Sequence, residues 1–188
     1  MNKYLRLVFA LPVFLFFLSC STAPNPTVAT GGDPALDAQA QAALQRLLAE
    51  TPQAKELHSM AKGTLVFPDV AKAGFIVGAE GGKGVMFAPD GRVAGYYRAR
   101  ALSVGFQAGA QSFSQVMFFM TDHAITSLTS GSGLSVGTGP SVVVVDAGVA
   151  ASLTTTTAKS DVYAFIFGQE GLMAGIGLQG QHIEKFDK

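Results

Sequence analysis

A serine, an aspartate and a histidine occur in this sequence in the order of a hydrolase catalytic triad. Residues 133–137 read Gly-Leu-Ser-Val-Gly, the spacing of a nucleophile elbow, and Asp161 and His182 follow. That elbow needs a strand, a tight turn and then a helix. Here residues 138–145 contain Gly-Pro and then a run of valines, which favours a strand. A serine hydrolase built on Ser135 is therefore the least favoured of three functions considered for this chain.

Two further patterns could hold a phosphate or a metal ion. Residues 78–84 are rich in glycine, but they lack the spacing, and the Ser or Thr after the lysine, that a phosphate-binding loop requires. A hairpin turn explains them better. His58, His123 and His182 are far apart in sequence, and a single cysteine excludes a cysteine-rich zinc site. We therefore expect no catalysis, no cofactor and no metal.

The single cysteine stands at the end of an export signal. Lys3 and Arg6 precede an apolar run at 7–18, and a small residue and Cys20 follow it. The run is shorter than the roughly twenty residues that a transmembrane helix needs. The segment resembles a bacterial lipobox, in which the cysteine is acylated after cleavage. We predict a signal peptide at 1–19 and lipidation of Cys20, with a plain secreted protein as the alternative.

The predicted anchor indicates where the protein resides. Ser21, rather than aspartate, follows the cysteine, which resembles the sorting preference for the outer membrane. Each buried methylene of an acyl chain contributes about 0.8 kcal/mol, so several chains such as palmitate hold a protein at a bilayer. Residues 20–32 are a tether rich in Pro, Thr, Asn and Gly. We expect a single domain at 33–188 on the periplasmic face of the bacterial outer membrane.

The overall charge argues against nucleic acid as a partner. Thirteen Lys and Arg balance thirteen Asp and Glu. Removal of residues 1–19 takes away Lys3 and Arg6, which leaves eleven basic against thirteen acidic side chains, a net of −2. Polyphosphate binding draws its affinity from a basic excess, and this chain has none overall.

One stretch of the chain is nevertheless locally basic. Between residues 62 and 100, six basic side chains outnumber three acidic ones. Tyr96 and Tyr97 add amphipathic side chains of the kind found at membrane interfaces. This zone is either a set of exposed strand ends and turns or a surface for anionic headgroups. Its basic residues are Lys62, Lys72, Lys83, Arg92, Arg98 and Arg100.

Helical spacing of apolar residues is strongest near the start of the mature chain. Asp33 and a following proline predict a helix that runs to residue 50. A second Thr-Pro start predicts an amphipathic helix that ends at Gly63, where a left-handed glycine would close it. A short third helix is predicted at 121–129, capped by Thr121.

From residue 64 onward the pattern becomes that of strands. Twenty of the 22 glycines lie between 63 and 180, many inside strand candidates, which indicates sharp bends or close backbone contacts. Residues 89–92, Pro-Asp-Gly-Arg, predict a tight turn. The fold class is α+β, with helices packed on a strongly curved, mainly antiparallel, barrel-like sheet. The candidate strands are 65–67, 73–79, 84–88, 92–99, 103–110, 113–119, 141–145, 152–157, 161–167 and 172–178.

Several strings of residues resemble the SYLF family of lipid-binding domains. They occur in one order between about residues 51 and 185, which makes the resemblance specific. Eukaryotic members bind phosphoinositide-rich membranes, some also actin, and bacterial members are often exported lipoproteins. The strings are 61–70 (Ala-Lys-Gly-Thr-Leu-Val-Phe-Pro-Asp-Val), 73–78, 95–97, 103–112, 116–121 and 168–175 (Gly-Gln-Glu-Gly-Leu-Met-Ala-Gly).

The resemblance implies that an amphipathic helix at the start of the domain contacts lipid. That helix falls on residues 51–62 of this chain and offers Lys55 and Lys62. Together with the basic zone, the predicted lipid-binding residues are Lys55, Lys62, Lys72, Lys83, Arg92, Tyr96, Tyr97, Arg98 and Arg100.

The predicted function is that of a non-catalytic, membrane-anchored lipoprotein whose SYLF-like domain binds anionic phospholipids. Membrane phospholipid is the expected partner, and no nucleic acid is expected. The alternative from another class is an envelope scaffolding protein, tethered through Cys20, whose sheet binds another protein and contacts lipid incidentally.

Overall fold

A computed structural model describes residues 32–145, 159–171 and 180–186. The predicted signal peptide, Cys20 and the strands predicted at 152–157 and 172–178 lie outside these residues. Three helices and six strands are present in the described part, which confirms the α+β class. They are α1 (Pro34–Glu50), α2 (Pro52–Met60), β1 (Gly63–Phe87), β2 (Val93–Phe119), α3 (Asp122–Thr129), β3 (Leu134–Ser135), β4 (Val142–Val144), β5 (Val162–Gly171) and β6 (His182–Lys185).

The helices begin where the sequence predicts. The Asp33 side chain accepts a hydrogen bond from the amide of Leu36 at the start of α1, and Thr121 caps α3 through the amide of Ala124. The predicted end of α2 at Gly63 is wrong. The helix ends at Met60, and Gly63 begins β1 without a positive φ.

Two long strands, β1 and β2, pair antiparallel over almost their whole length to form a ribbon. The sequence predicted three short strands in place of each and a hairpin turn at 78–84; both predictions were wrong, because residues 78–84 continue β1 in register with β2. Register shifts between Phe67 and Val70, between Phe75 and Val77, and between Met86 and Phe87 interrupt the alternation without ending the strands. Their connection is the predicted turn, where Gly91 adopts φ 80° and its amide bonds the carbonyl of Ala88.

The remaining strands extend this ribbon into one strongly curled sheet. Along the sheet the order is β3, β6, β2, β5, β4, and β1 pairs with β2 off that path. The β4–β5 pair is parallel and the other pairs are antiparallel. The long strand β2 therefore holds β1 along its length, β6 beside its first half and β5 beside its second half.

Both faces of the sheet are buried over much of its area. Successive residues of β1 alternate between two apolar clusters: Leu65 and Phe67 pack with α3, whereas Val66 packs with α1 and α2. The helices contribute one apolar stripe each, including Leu44 and Leu57. This packing confirms the predicted helices on a curved sheet.

Glycines allow the two halves of β1 to approach each other. A Cβ placed on Gly84 would lie 2.6 Å from Phe67 Cδ1 and 2.7 Å from the carbonyl oxygen of Val66. A Cβ on Gly82 would lie 2.8 Å from the carbonyl oxygen of Asp69. The glycine-rich composition is thus explained at these positions by close contact rather than by left-handed conformations.

Asp161 ties together three segments at one end of the sheet. Its carboxylate accepts hydrogen bonds from the hydroxyl of Thr121 and from both the amide and the hydroxyl of Ser141. These bonds hold the pKa of Asp161 below its ordinary value. The residue that the sequence placed in a catalytic triad therefore joins the start of α3 to the strands β4 and β5.

We expect Gly84→Ala to lower the free energy of unfolding by about 1–3 kcal/mol, because the added methyl group overpacks against a buried ring and a carbonyl. Gly81→Ala on the same strand is the control. Its added Cβ would lie 3.6 Å from the nearest neighbouring atom, an ordinary contact. Equal stabilities of the two variants in urea unfolding would contradict the close approach of the two halves of β1.

We expect Asp161→Asn to reduce stability at neutral pH, since an amide cannot accept all three hydrogen bonds as a carboxylate does. The folded state holds the pKa of Asp161 below the ordinary 3.8, so its contribution is complete above that pH and is lost as the pH falls further. The variant should therefore lose less stability than the native chain on acidification. Denaturant unfolding at neutral and acidic pH measures this, and parallel pH profiles would argue against the role of Asp161.

Candidate functional site: a cationic groove on the ribbon

A groove of about 570 Å³ opens on the surface of the β1–β2 ribbon. Its lining comes from both halves of β1 and from the adjoining part of β2. Most of the lining residues are alanine and glycine. Because their side chains are small or absent, the backbone lies close to the surface of the groove. The lining residues are Ala71, Ala73, Ala79, Glu80, Gly81, Gly82, Lys83, Arg98, Ala99 and Arg100.

Three of the predicted lipid-binding residues meet at this groove. Lys83 on β1 and Arg98 on β2 are direct cross-strand partners, and Arg100 pairs with Gly81 two positions away. Partners directly opposite in an antiparallel pair project from the same face, where like charges repel. The sheet therefore brings together Lys83, Arg98 and Arg100, which sequence proximity alone did not establish.

The three cations differ in how strongly they are engaged. Arg98 lies over the ring of Phe186, with its guanidinium carbon 5.2 Å from the ring centroid. Arg100 forms an ion pair with Glu184 on β6. Lys83 is exposed and has no ion pair with any residue that the structure describes. An anion at the groove would meet one unpaired lysine and two arginines that are already oriented.

A buried polar cluster lies next to the groove. Glu80 is 8% exposed and accepts a hydrogen bond of 2.8 Å from the side-chain amide of Gln181. Gln181 also exchanges two hydrogen bonds with Gln115, at 3.0 and 3.1 Å. Burial raises the pKa of Glu80, while Gln181 and the positive charge of Lys72 act in the opposite direction. The sequence did not identify Gln115 and Gln181 as members of a polar cluster beside the groove, because a lone glutamine carries no motif.

Lys72 takes part in that cluster rather than in a surface. It is 7% exposed, and its charge acts on the buried Glu80 carboxylate. Burial therefore separates Lys72 from the exposed cations of the predicted set.

The two tyrosines of the predicted set serve the fold. Tyr97 is 2% exposed and belongs to the cluster that packs beside α3. Tyr96 is half-buried; its hydroxyl accepts a hydrogen bond from the Asp33 amide and donates one to the Asp37 carboxylate. These bonds fasten the first turn of α1 to β2. The burial of Tyr97 contrasts with the interfacial position predicted from sequence, whereas Tyr96 remains partly exposed, with its ring centroid 6.2 Å from that of Phe186.

The other predicted cations are exposed but lie apart from the groove. Lys55 projects from α2. Lys62 forms an ion pair with Asp122 at the start of α3, and Arg92 pairs with Asp90 inside the tight turn. The basic zone of the sequence is therefore several separate surfaces, of which the groove alone gathers three cations.

Ser135 and His182 are in contact, although the predicted triad does not assemble. They are partners across β3 and β6, and Ser135 Oγ lies 2.9 Å from His182 Nδ1. His182 Nε2 lies 4.0 Å from Glu184, whereas Asp161 is bonded to Thr121 and Ser141. After Ser135 the chain turns to a bridge at Thr138 rather than into a helix, so a nucleophile elbow is not formed.

Two other features, a metal site and a membrane-spanning helix, are absent from the described part of the chain. No group of three or more His, Cys, Asp or Glu side chains is placed to hold a metal ion there. None of the three helices within it is long and apolar enough to cross a bilayer.

The fold and the groove together define an α+β domain with a cationic surface groove. Residues 100–188 match the family model Ysc84, described as "Las17-binding protein actin regulator". This match is consistent with the SYLF-domain family and confirms the resemblance found in the sequence. The match supports a lipid-binding or scaffolding role at most, and that family is generally non-catalytic. No curated protein matches the chain.

Proposed function

We propose that this chain is an exported, lipid-anchored protein whose SYLF domain binds anionic phospholipid headgroups through the groove formed by β1 and β2. The observation that carries the proposal is the placement of Lys83 directly opposite Arg98. Like charges at such a position cost stability unless an anion lies between them. A phosphate group is an anion of suitable charge, and an arginine fork can bind it with two hydrogen bonds.

The neighbouring acidic group does not cancel this surface. Glu80 is buried, its carboxylate accepts a hydrogen bond from Gln181, and the positive charge of the buried Lys72 acts on it. Arg100 shares its charge with Glu184, which fixes the arginine in place at the edge of the groove. Glu184 is also the cross-strand partner of Arg98, but its ion pair is with Arg100, so Lys83, Arg98 and Arg100 outnumber this one exposed carboxylate at the mouth of the groove.

The anchor belongs to the same proposal. Cys20 and the tether at 20–32 would keep the domain near the bilayer, so the groove needs only modest intrinsic affinity. The location that we propose is the periplasmic face of the outer membrane in a bacterial envelope. This location is proposed from the sequence alone, in which an apolar run is followed by Cys20 and then by Ser21.

A scaffolding role is the second candidate function. The description of the matching family names binding to Las17, which is a protein interaction. In this chain the long strand β1 pairs only with β2 among the described strands, so its outer edge could accept another strand. Crosslinking in cells followed by recovery of a protein partner, together with absent vesicle binding, would favour scaffolding over lipid binding.

We expect Lys83→Gln/Arg98→Gln to weaken binding of residues 32–188 to phosphatidylglycerol vesicles about thirtyfold, since each cation near an anionic surface contributes about 1 kcal/mol. Vesicle sedimentation at low ionic strength measures this. The control is Arg46→Gln/Lys159→Gln, which removes the same charge away from the groove. If the two double variants bind equally, net charge rather than the groove explains the affinity, and the proposed site is wrong.

Acylation of Cys20 is tested separately in bacterial cells. We expect the native chain to incorporate labelled palmitate and to fractionate with membranes, and Cys20→Ser to lose the label, because the thiol is the acceptor. Cys20→Ser that still carries the label would show that the anchor is not at this residue.

A further inference from the structure

The ribbon carries an exposed apolar apex that lies beyond the groove. We define the ribbon apex as Phe75, Ile76 and Val77 of β1 with Leu102 of β2. Their exposed fractions are 75%, 52%, 58% and 78%. Seven large apolar residues are exposed in the described part of the chain, and four of them lie here. Such concentration marks an interaction surface, since isolated apolar residues are the rule on an ordinary protein surface.

The backbone turns these side chains outward. The register of β1 against β2 shifts between Phe75 and Val77, and Ile76 adopts φ 67°. A β-branched residue is strained in that left-handed region. Glycine or asparagine at position 76 would adopt this conformation at a lower cost in stability than isoleucine does. The bulge thus displays apolar groups at a conformational cost.

The apex is also free of charge along both strands. Residues 73–79 and 101–110 contain no Asp, Glu, Lys or Arg. The nearest exposed cation on the ribbon is Arg100, which lies two residues from Leu102 on β2 and pairs with Gly81, four residues beyond Val77. At about 3.3 Å per residue these separations are about 7 Å and about 13 Å. Cations therefore border an apolar tip at a fixed distance.

The shorter of these separations, from Leu102 to Arg100, matches the dimensions of one partner, a phospholipid leaflet. The polar zone of a leaflet is about 5–8 Å thick, and interfacial protein elements bury their apolar face about 5–10 Å into the headgroup and acyl boundary. We propose that the ribbon apex inserts into the acyl region of a phospholipid bilayer while Arg100, Arg98 and Lys83 remain at the phosphates. This inference rests on the proposed function and adds to it a direction of approach and an anchoring surface of the domain itself.

Tryptophan fluorescence gives a direct test, because the native chain contains no tryptophan. Phe75→Trp in the full chain places one at the apex. Val93→Trp is the matched control, since Val93 is also exposed and apolar but pairs with Phe87 beside the 88–92 turn, ten residues along β1 from Val77. Both proteins are bound to phosphatidylglycerol vesicles whose acyl chains carry bromine near the glycerol, and circular dichroism confirms that both are folded.

The expected result is that emission from Trp at position 75 moves to shorter wavelength and is quenched by bromine, whereas emission from position 93 is not. Unquenched emission from position 75 in vesicle-bound, folded protein would overturn the insertion. A shift that depends on protein concentration and occurs without quenching would also overturn it, because the apex would then contact a second copy of the chain.

The same experiment separates this inference from the proposed function. Phosphatidylcholine vesicles carrying the same brominated chains are run in parallel. Binding that prefers phosphatidylglycerol without quenching at position 75 would leave headgroup binding in place and refute insertion. Equal quenching in both lipids would support insertion and contradict the role given to the cations.

Discussion

The antiparallel pairing of β1 with β2 is the interaction on which the rest of the structure depends. It runs from Gly63 opposite Phe119 to Phe87 opposite Val93. Each of the other described strands pairs with β2 directly or with a strand that pairs with β2. Both apolar clusters use side chains of this ribbon. The same pairing sets Lys83 opposite Arg98 and carries the apolar apex, so core, groove and tip are consequences of one register.

That register is compatible with a curled sheet only because the ribbon bends. The shifts at Phe67/Val70 and Phe75/Val77 change which face each side chain occupies, and Gly82 and Gly84 allow the two halves of β1 to meet. The polar cluster of Glu80, Gln115 and Gln181 is buried at this bend and its hydrogen bonds are largely internal. Bending thus gathers apolar and polar groups, Lys72 among them, inside and leaves Lys83, Arg98 and Arg100 at the groove.

Much of the fold could be predicted from local signals in the sequence. The caps Asp33 and Thr121 and the Pro-Asp-Gly-Arg turn act within a few residues, so their effects are visible in sequence. The sequence did not predict the length of β1 and β2, because bulges break the alternation of apolar and polar residues that identifies a strand. The candidate site was predicted in part. Lys83, Arg98 and Arg100 meet through cross-strand register, while Tyr97 and Lys72 are buried by long-range packing that composition does not encode.

We propose that anionic phospholipid contacts the groove with its phosphate and the ribbon apex with its acyl chains, and that the helices are not the lipid-binding surface. Photocrosslinking tests it most directly, with a phosphatidylglycerol whose acyl chain carries a diazirine and with adducts mapped by mass spectrometry. Our account predicts that the adducts lie at the ribbon apex, at residues 75–77 and 102, where the acyl chains contact the protein, and that salt diminishes their yield. Adducts confined to α1 and α2, or an equal yield from a phosphatidylcholine probe, would contradict it.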